Sequence, residues 1–272
     1  MRRLPSPYPP QLRSIPQVCA LNALHCQVLR PLSRDRQHLW LVRYGRRHVV
    51  AKVHDGHRFR SLDKEAYWLK QARILGIPAP HPIQRLQSTS ISVLLMTRVI
   101  DRQAISVPER MQQLAGLHNL QAHGDGWGPL RADRRPRWRT AAAALHWYEK
   151  YCPPHWRKEL LATWPHRRRG IIHGDIHRGN TLGRFFLDWE TVAIADPWED
   201  LCRAILAQGW YTPPPWIGQD HHCSRWRGAW LRSCIESAAF SGMRQVAASH
   251  WLHGSGTDLA GKMHLGSSPP FL

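Results

Sequence analysis

Between His173 and Leu201 the chain reads HGDIHRGNTLGRFFLDWETVAIADPWEDL. Asp175 and Asn180 stand five residues apart with Gly179 between them, and Asp188 follows after two short apolar segments. A carboxylate on a tight loop can accept the proton of a hydroxyl. An amide oxygen a few residues on, and a second carboxylate across a short hairpin, can share a hard cation. Mg2+ takes such oxygen ligands, with phosphates and waters completing its octahedron. The chemistry that needs these parts is phosphoryl transfer. It asks little covalent work of the protein: a group to orient a hydroxyl, oxygen ligands for the metal, and a cation on the phosphates. Singly, Asp and Asn in loops are ordinary turn formers and caps. Together they spell H-x-D-x-x-x-x-N followed by an aspartate at the end of a strand, the grammar of a kinase catalytic loop.

The cation must come from elsewhere. Lys52 lies in Val49-Val50-Ala51-Lys52, which has the form of a strand lysine that contacts phosphates. The helix that follows carries an apolar stripe of Leu62, Ala66, Leu69 and Ala72, with Glu65 on the same stripe. A carboxylate facing a core is costly unless a cation meets it. Lys52 is the cation the sequence offers.

These residues need elements to position them. Residues 38–54 predict a hairpin, with strands at 39–42 and 49–53 around a turn at Gly45. Ser61 caps a helix that runs to about Leu75 and stops at Gly76, with Pro78 beyond. Residues 91–96 form a third strand, so the first ~100 residues read strand, strand, helix, strand, a small mixed lobe. Ser106 and Glu109 have capping-box spacing and start a helix through about Gln121. Helices follow at 140–151, 155–164, from Pro197 to about Trp210, and within 224–253. Residues 181–187 read as a hairpin turning at Gly183, and 211–218 as a proline-rich loop.

On these residues the chain resembles the aminoglycoside phosphotransferase and choline kinase superfamily, small-molecule kinases with a protein-kinase-like fold. The resemblance rests on HGDIHRGN (173–180), LDWE (187–190) and DPWEDL (196–201), with weaker matches at VVAK (49–52), LLMTRV (94–99) and LAGLHNL (114–120), and spans about residues 30–210. It implies an α+β, bilobal fold, with a small N-terminal antiparallel-sheet lobe and a larger, mainly helical C-terminal lobe. The expected division is a nucleotide-binding lobe over 1–96, with an irregular leader at 1–15. A catalytic and substrate lobe over 97–253 and a disordered tail over 254–272 complete it. The resemblance implies ATP and Mg2+, with Asp175 as base, Asn180 and Asp188 as metal ligands, Lys52 on the phosphates and Glu65 as its partner. The backbone from Thr97 to Val99 would hold adenine. Asp196 and Asp200 would cap the following helix and brace the loop, with His118 packed behind it. His173 and Glu190 would support the site or its substrate. In place of a glycine-rich phosphate loop the chain has residues 31–37, PLSRDRQ, without glycine; Ser33 and backbone amides are the candidates there. Gly174 stands where protein kinases have arginine, and only seven residues separate Asp188 from Asp196. No long activation segment fits, which favours a small molecule over a peptide as acceptor.

Composition bounds the alternatives. The 272 residues are 43% hydrophobic and 21% charged, ordinary for a globular protein, but the formal net charge is +19. Among the first sixty residues only Asp35 and Asp55 are acidic. The basic residues form short, separated runs rather than one face, so a solvated arginine-rich surface is expected and a nucleic-acid partner is not. The six cysteines include no Cys-x-x-Cys pair, and reduced thiols in a cytoplasmic protein are expected. His221-His222-Cys223 lacks a second ligand pair for zinc. No apolar run approaches the ~20 residues of a membrane span, and the basic, proline-broken stretch 1–18 lacks the apolar core of a secretory signal. The expected partner is a small hydroxyl compound, an amino alcohol, an aminoglycoside or a similar metabolite. The sequence gives no handle on oligomeric state. Two other readings remain: a kinase-like binding module without turnover, which the glycine-free loop supports, and a basic nucleic-acid-binding protein.

Overall fold

The computed structural model describes residues 21–22, 25–32, 38–55, 61–87, 91–207 and 223–241. The leader, Ser33, the loop at 211–218, His221, His222 and the tail lie outside them. The chain divides into two compact units. The first comprises Met1–Asp101, Arg131–Arg134 and Phe185–Glu190; the second comprises Arg102–Leu130, Arg135–Arg184 and Thr191–Leu272. Asp188 and Glu190 therefore belong with the first.

The first unit holds a five-stranded antiparallel sheet in the order β1-β2-β3-β5-β4 and the helix Ser61–Ile74. Its strands are β1 (Gln27–Pro31), β2 (Leu39–Tyr44), β3 (Arg47–Asp55), β4 (Pro82–Gln87) and β5 (Ile91–Thr97). The β2–β3 hairpin turns at Gly45, whose φ of 59° suits glycine. Strand β3 is rich in β-branched residues and alternates: Val49, Ala51 and Val53 enter the core with Trp40, Val42, Val93 and Leu95, while Lys52 and His54 share the opposite face. The sequence pattern missed β1 and β4. Both lie at the sheet's edges, both alternate poorly, and β4 opens with proline, which an edge strand tolerates. The helix Ser61–Ile74 buries Leu62, Glu65, Leu69 and Ala72, joined by Lys64 and Trp68; Ala66 is only half-buried, so the stripe lies slightly round from where the sequence put it.

The second unit is mainly helical around a four-stranded sheet. Strand Ala193–Ala195 pairs antiparallel with Gly170–Ile172 on one side and Trp127–Leu130 on the other, and Pro136–Trp138 completes the edge. Ser106 and Glu109 close a capping box at the start of helix Val107–Gln113. That helix ends at Gln113, and a separate turn, Ala115–His118, stops three residues short of the expected Gln121. Helices Ala141–Tyr151, Arg157–Thr163, Trp198–Leu206 and Cys223–Ser241 pack a core dense in aromatics: Trp127, Tyr148, Trp156, Trp164, Trp226 and Trp230. No described helix is long and apolar enough to cross a membrane. Leu160 is fully buried in that core. Leu160→Ala should lower the free energy of unfolding by about 2–5 kcal/mol through the cavity it leaves, seen as a drop in melting temperature by calorimetry.

Candidate active site

In the first unit the sheet and helix bring Lys52 and Glu65 together. The Lys52 ammonium lies 2.9 Å from Glu65 Oε2, 2.6 Å from Asp188 Oδ1 and 3.6 Å from Glu190 Oε2. His54, two residues along the same face of β3, places Nε2 4.0 Å from Glu190. Oxygen atoms of Glu65, Asp188 and Glu190 all lie within 4.8 Å of one another. Three carboxylates thus converge on the Lys52 ammonium. Burial works against the Lys52 charge, but Glu65, Asp188 and Glu190 together hold its pKa above the ordinary lysine value. Burial pushes Glu65 up to about 7, against the pull of Lys52, with Asp188 adding to the rise. Lys64, also buried, is lowered to about 8 by desolvation, partly offset by Glu190, Glu65 and Asp188. A crowded set of hard oxygen donors suits a divalent cation such as Mg2+. Asp188 itself has φ 59°, in the left-handed region.

The second unit holds the loop. Strand Gly170–Ile172 ends at His173, and Gly174 follows with φ 85°. A Cβ at Gly174 would lie 2.4 Å from the Thr191 carbonyl oxygen, so only glycine fits. Asp200 is fully buried and faces this turn. Its Oδ2 accepts the His173 N–H at 2.8 Å and pairs with His118 Nε2 at 3.0 Å; its Oδ1 accepts the Gly174 N–H at 2.8 Å. Asp196 accepts the Trp198 N–H at 3.1 Å, which caps the helix, and the Arg168 N–H at 2.8 Å; Arg225 grips it with a fork of bonds as short as 2.6 Å.

Asp175 emerges from this turn. Its Oδ2 accepts Asn180 Nδ2 at 2.7 Å, and His177 Nε2 stands 3.5 Å away. His177 Nδ1 accepts the Gly179 N–H at 2.9 Å, so the ring proton sits on Nε2 and points to Asp175. Asn180 also donates to the Asp175 carbonyl at 3.1 Å; both bonds use its NH2, and its amide oxygen remains for another role. Burial opposes the Asp175 charge, but the His177 hydrogen bond and the nearby Arg203 and His173 hold its pKa below the usual carboxylate range. At neutral pH it is an anion whose Oδ1 takes none of these contacts.

Thr97 ends β5 with its N–H on the His81 carbonyl at 2.9 Å and its hydroxyl accepting the His81 N–H at 2.8 Å; Val99, half-buried, follows in non-regular backbone. Four residues near these centres escaped the sequence reading: His54, Lys64, His177 and Arg203. His54 had a legible signal, the period-2 face of β3 that it shares with Lys52. Lys64 sits beside Glu65 and looks like any surface lysine until the helix is seated.

The fold can be set beside solved structures. The chain is similar to a thermostable mutant of aminoglycoside phosphotransferase APH(4)-Ia in its apo form. Identity is 16% and the TM-score 0.62, over 89% of this chain and 100% of that one. It is similar to a mutant of the same protein in ternary complex with ADP and hygromycin B, at 16% identity and TM-score 0.58, over 84% and 92%. A protein described as a fructosamine-3-kinase from Haemophilus somnus 129PT matches at 14% identity and TM-score 0.55, over 84% and 90%. At these identities the likeness is one of fold: an antiparallel sheet unit and a helical unit of the kinase type. A search of curated proteins gave no match. The sequence profile of APH, the phosphotransferase enzyme family, matches residues 28–236, and the chain belongs to that family.

Asp200 supplies a test of the loop. Burial alone would raise its carboxyl; the hydrogen bond and charge of His118, the nearby His173 and the Gly174 amide outweigh it and hold the pKa low. A depressed folded-state pKa gives stability that is present above the ordinary aspartate value and lost as pH falls through the depressed one. The melting temperature should therefore fall as pH goes from about 5 to about 3. Asp200→Asn should melt lower at neutral pH and show a shallower acid slope, read by thermal scans across pH.

Proposed function

We propose that the protein is an ATP-dependent O-phosphotransferase that moves the γ-phosphate of ATP to a hydroxyl of a small molecule. The acceptor class is an amino alcohol such as choline, an aminoglycoside or a similar metabolite. The observation that carries the reading is Asp175: ionised, on a loop fixed by buried groups, with Oδ2 held by Asn180 and Oδ1 left to receive a hydroxyl proton. Family membership supports it, as does a solved relative of this fold whose complex contains ADP and a small molecule, hygromycin B.

In this reading Lys52 contacts the phosphates of ATP and Glu65 keeps the ammonium aimed. The backbone from Thr97 to Val99 receives adenine, and Ser33 and neighbouring amides reach the phosphates. Asp188 and Asn180 are the Mg2+ ligands, and Glu190 adds a carboxylate beside Asp188. Magnesium, when bound, offsets the charge on the phosphate oxygens. His173, Asp196 and Asp200 hold the loop and the helix behind it. We place the protein in the cytoplasm, where the unpaired thiols of Cys26, Cys152, Cys202 and Cys234 stay reduced.

A second reading, a nucleotide-binding module without turnover, is favoured by one feature: residues 31–37 contain no glycine. Two measurements separate the readings. Mg-ATP at about 100 times its dissociation constant should stabilise the protein by about 2.7 kcal/mol, a rise in melting temperature. In a screen of hydroxyl compounds, phosphorylated product should form with the parent chain and not with Asp175→Ala, while nucleotide affinity stays near the parent's. Equal turnover in both proteins sinks the assignment of Asp175; stabilisation by Mg-ATP without any product favours the second reading.

A further inference from the structure

Asp200 holds the His173–Gly174 turn by its N–H groups. The carbonyl side of the same turn is held by Arg203, to which neither the motif nor the resemblance gives a task. Arg203 lies three residues beyond Asp200 on helix Trp198–Leu206. Its Nη1 donates to the Gly174 carbonyl oxygen, and its Nη2 donates to Glu236 Oε2 and lies 3.9 Å from Glu199 Oε2. Tyr148 donates its O–H to the other oxygen of Glu236. The guanidinium is thus fixed by the interior of the second unit before it reaches the loop.

We propose, resting on the phosphotransfer reading above, that Arg203 is a positioning residue for Asp175, acting by clamping the carbonyl of the peptide unit that joins Gly174 to Asp175. A peptide unit is planar, so fixing its carbonyl fixes its N–H. That N–H belongs to Asp175 and meets His173 Nδ1 at 3.4 Å. Gly174 has no Cβ to stiffen its torsions, and without a partner its carbonyl is free to swing. Asp200 takes its N–H and Arg203 its C=O, so one helix turn pins the residue at both ends. The base then leaves the turn in one direction.

The task suits arginine and not lysine. The planar fork carries separate N–H donors in fixed directions, one for Gly174 and one for Glu236, whereas an ammonium on a flexible stem keeps the charge without the span. Two carboxylates neutralise a side chain that is 21% exposed, which limits the cost of holding it there. Arg157 provides an internal comparison: its Nε and Nη2 donate to Glu149 Oε1 at 3.3 and 3.1 Å, and neither residue is among those that hold the turn.

The test compares Arg203→Lys with Arg157→Lys in the full chain. Three quantities are read: hydrogen exchange of the peptide covering 171–177, nucleotide affinity, and turnover of whichever acceptor the screen identifies. Arg203→Lys should raise exchange at the Gly174 and Asp175 amides and lower kcat roughly 10–100-fold. The KM for ATP should stay within about twofold. Arg157→Lys should leave loop exchange and kcat near the parent's. If Arg203→Lys does not fold, Glu236→Gln, which releases the guanidinium, carries the same readouts. Parent-like exchange and kcat in the folded variant overturn the proposal. Equal loss in both variants also overturns it, since the role is then general packing. Should the parent turn over no acceptor, the phosphotransfer reading fails on its own, and loop exchange alone decides whether Arg203 holds the turn.

Discussion

A carboxylate taken out of water must be met, where it lies, by positive charge or N–H groups. The segment DPWED puts three of them, Asp196, Glu199 and Asp200, within five residues, all without exposed surface. Each is answered differently. Asp196 takes the Arg225 fork and two backbone amides, Glu199 takes Arg232 at 2.6 Å, and Asp200 takes His118 and the loop amides. Where the helix, the strand leading to His173 and the last helix can lie is fixed by these demands. The arginine-rich composition acquires a partial meaning here. Arg225 and Arg232 are not part of a solvated basic surface; they are the counter-charges of a buried acidic turn, and Arg203 pairs with the buried Glu236.

The first unit is arranged differently. The Lys52 ammonium faces Glu65, Asp188 and Glu190, and the neighbouring Lys64 has a depressed pKa. Asp196, Glu199 and Asp200 each have a cationic partner of their own, a closed arrangement, whereas Glu65, Asp188 and Glu190 share Lys52 and form an open one. Closed networks hold a shape. An open one has capacity for a cation from outside, which is the difference expected between a scaffold and a binding site.

How much of this could be read from the sequence depends on the range of the signal. The β2–β3 hairpin, β5 and the helix from Ser61 were legible because alternation and a 3.6-residue stripe are local patterns. The outer strands β1 and β4 were not, because edge strands need little apolar alternation. The candidate loop stood out through the fixed spacing of Asp175, Asn180 and Asp188, and Glu65, an acid on an apolar stripe, does lie against Lys52. Arg203 and Glu236, 33 residues apart, carry no such mark. Arginine and glutamate are the commonest of surface residues, and only a folded core reveals that two of them meet. The stretch PLSRDRQ, where the resemblance would put a phosphate loop, has no glycine, and Ser33 lies outside the described residues.

Asp188 carries a consequence for how such a chain can change. Its backbone sits at φ 59°, a conformation that costs most residues on the order of 1 kcal/mol and glycine almost nothing. Asparagine would suit the same backbone about as well as aspartate. For folding alone, then, position 188 has cheaper occupants, and its carboxylate shares Lys52 with Glu65 and Glu190. In the phosphotransfer reading, stability and chemistry would favour different residues at this site. A lineage that lost its need for the reaction would be expected to drift there first, towards glycine or asparagine, while Gly174 and Asp200, which the fold itself requires, stayed in place.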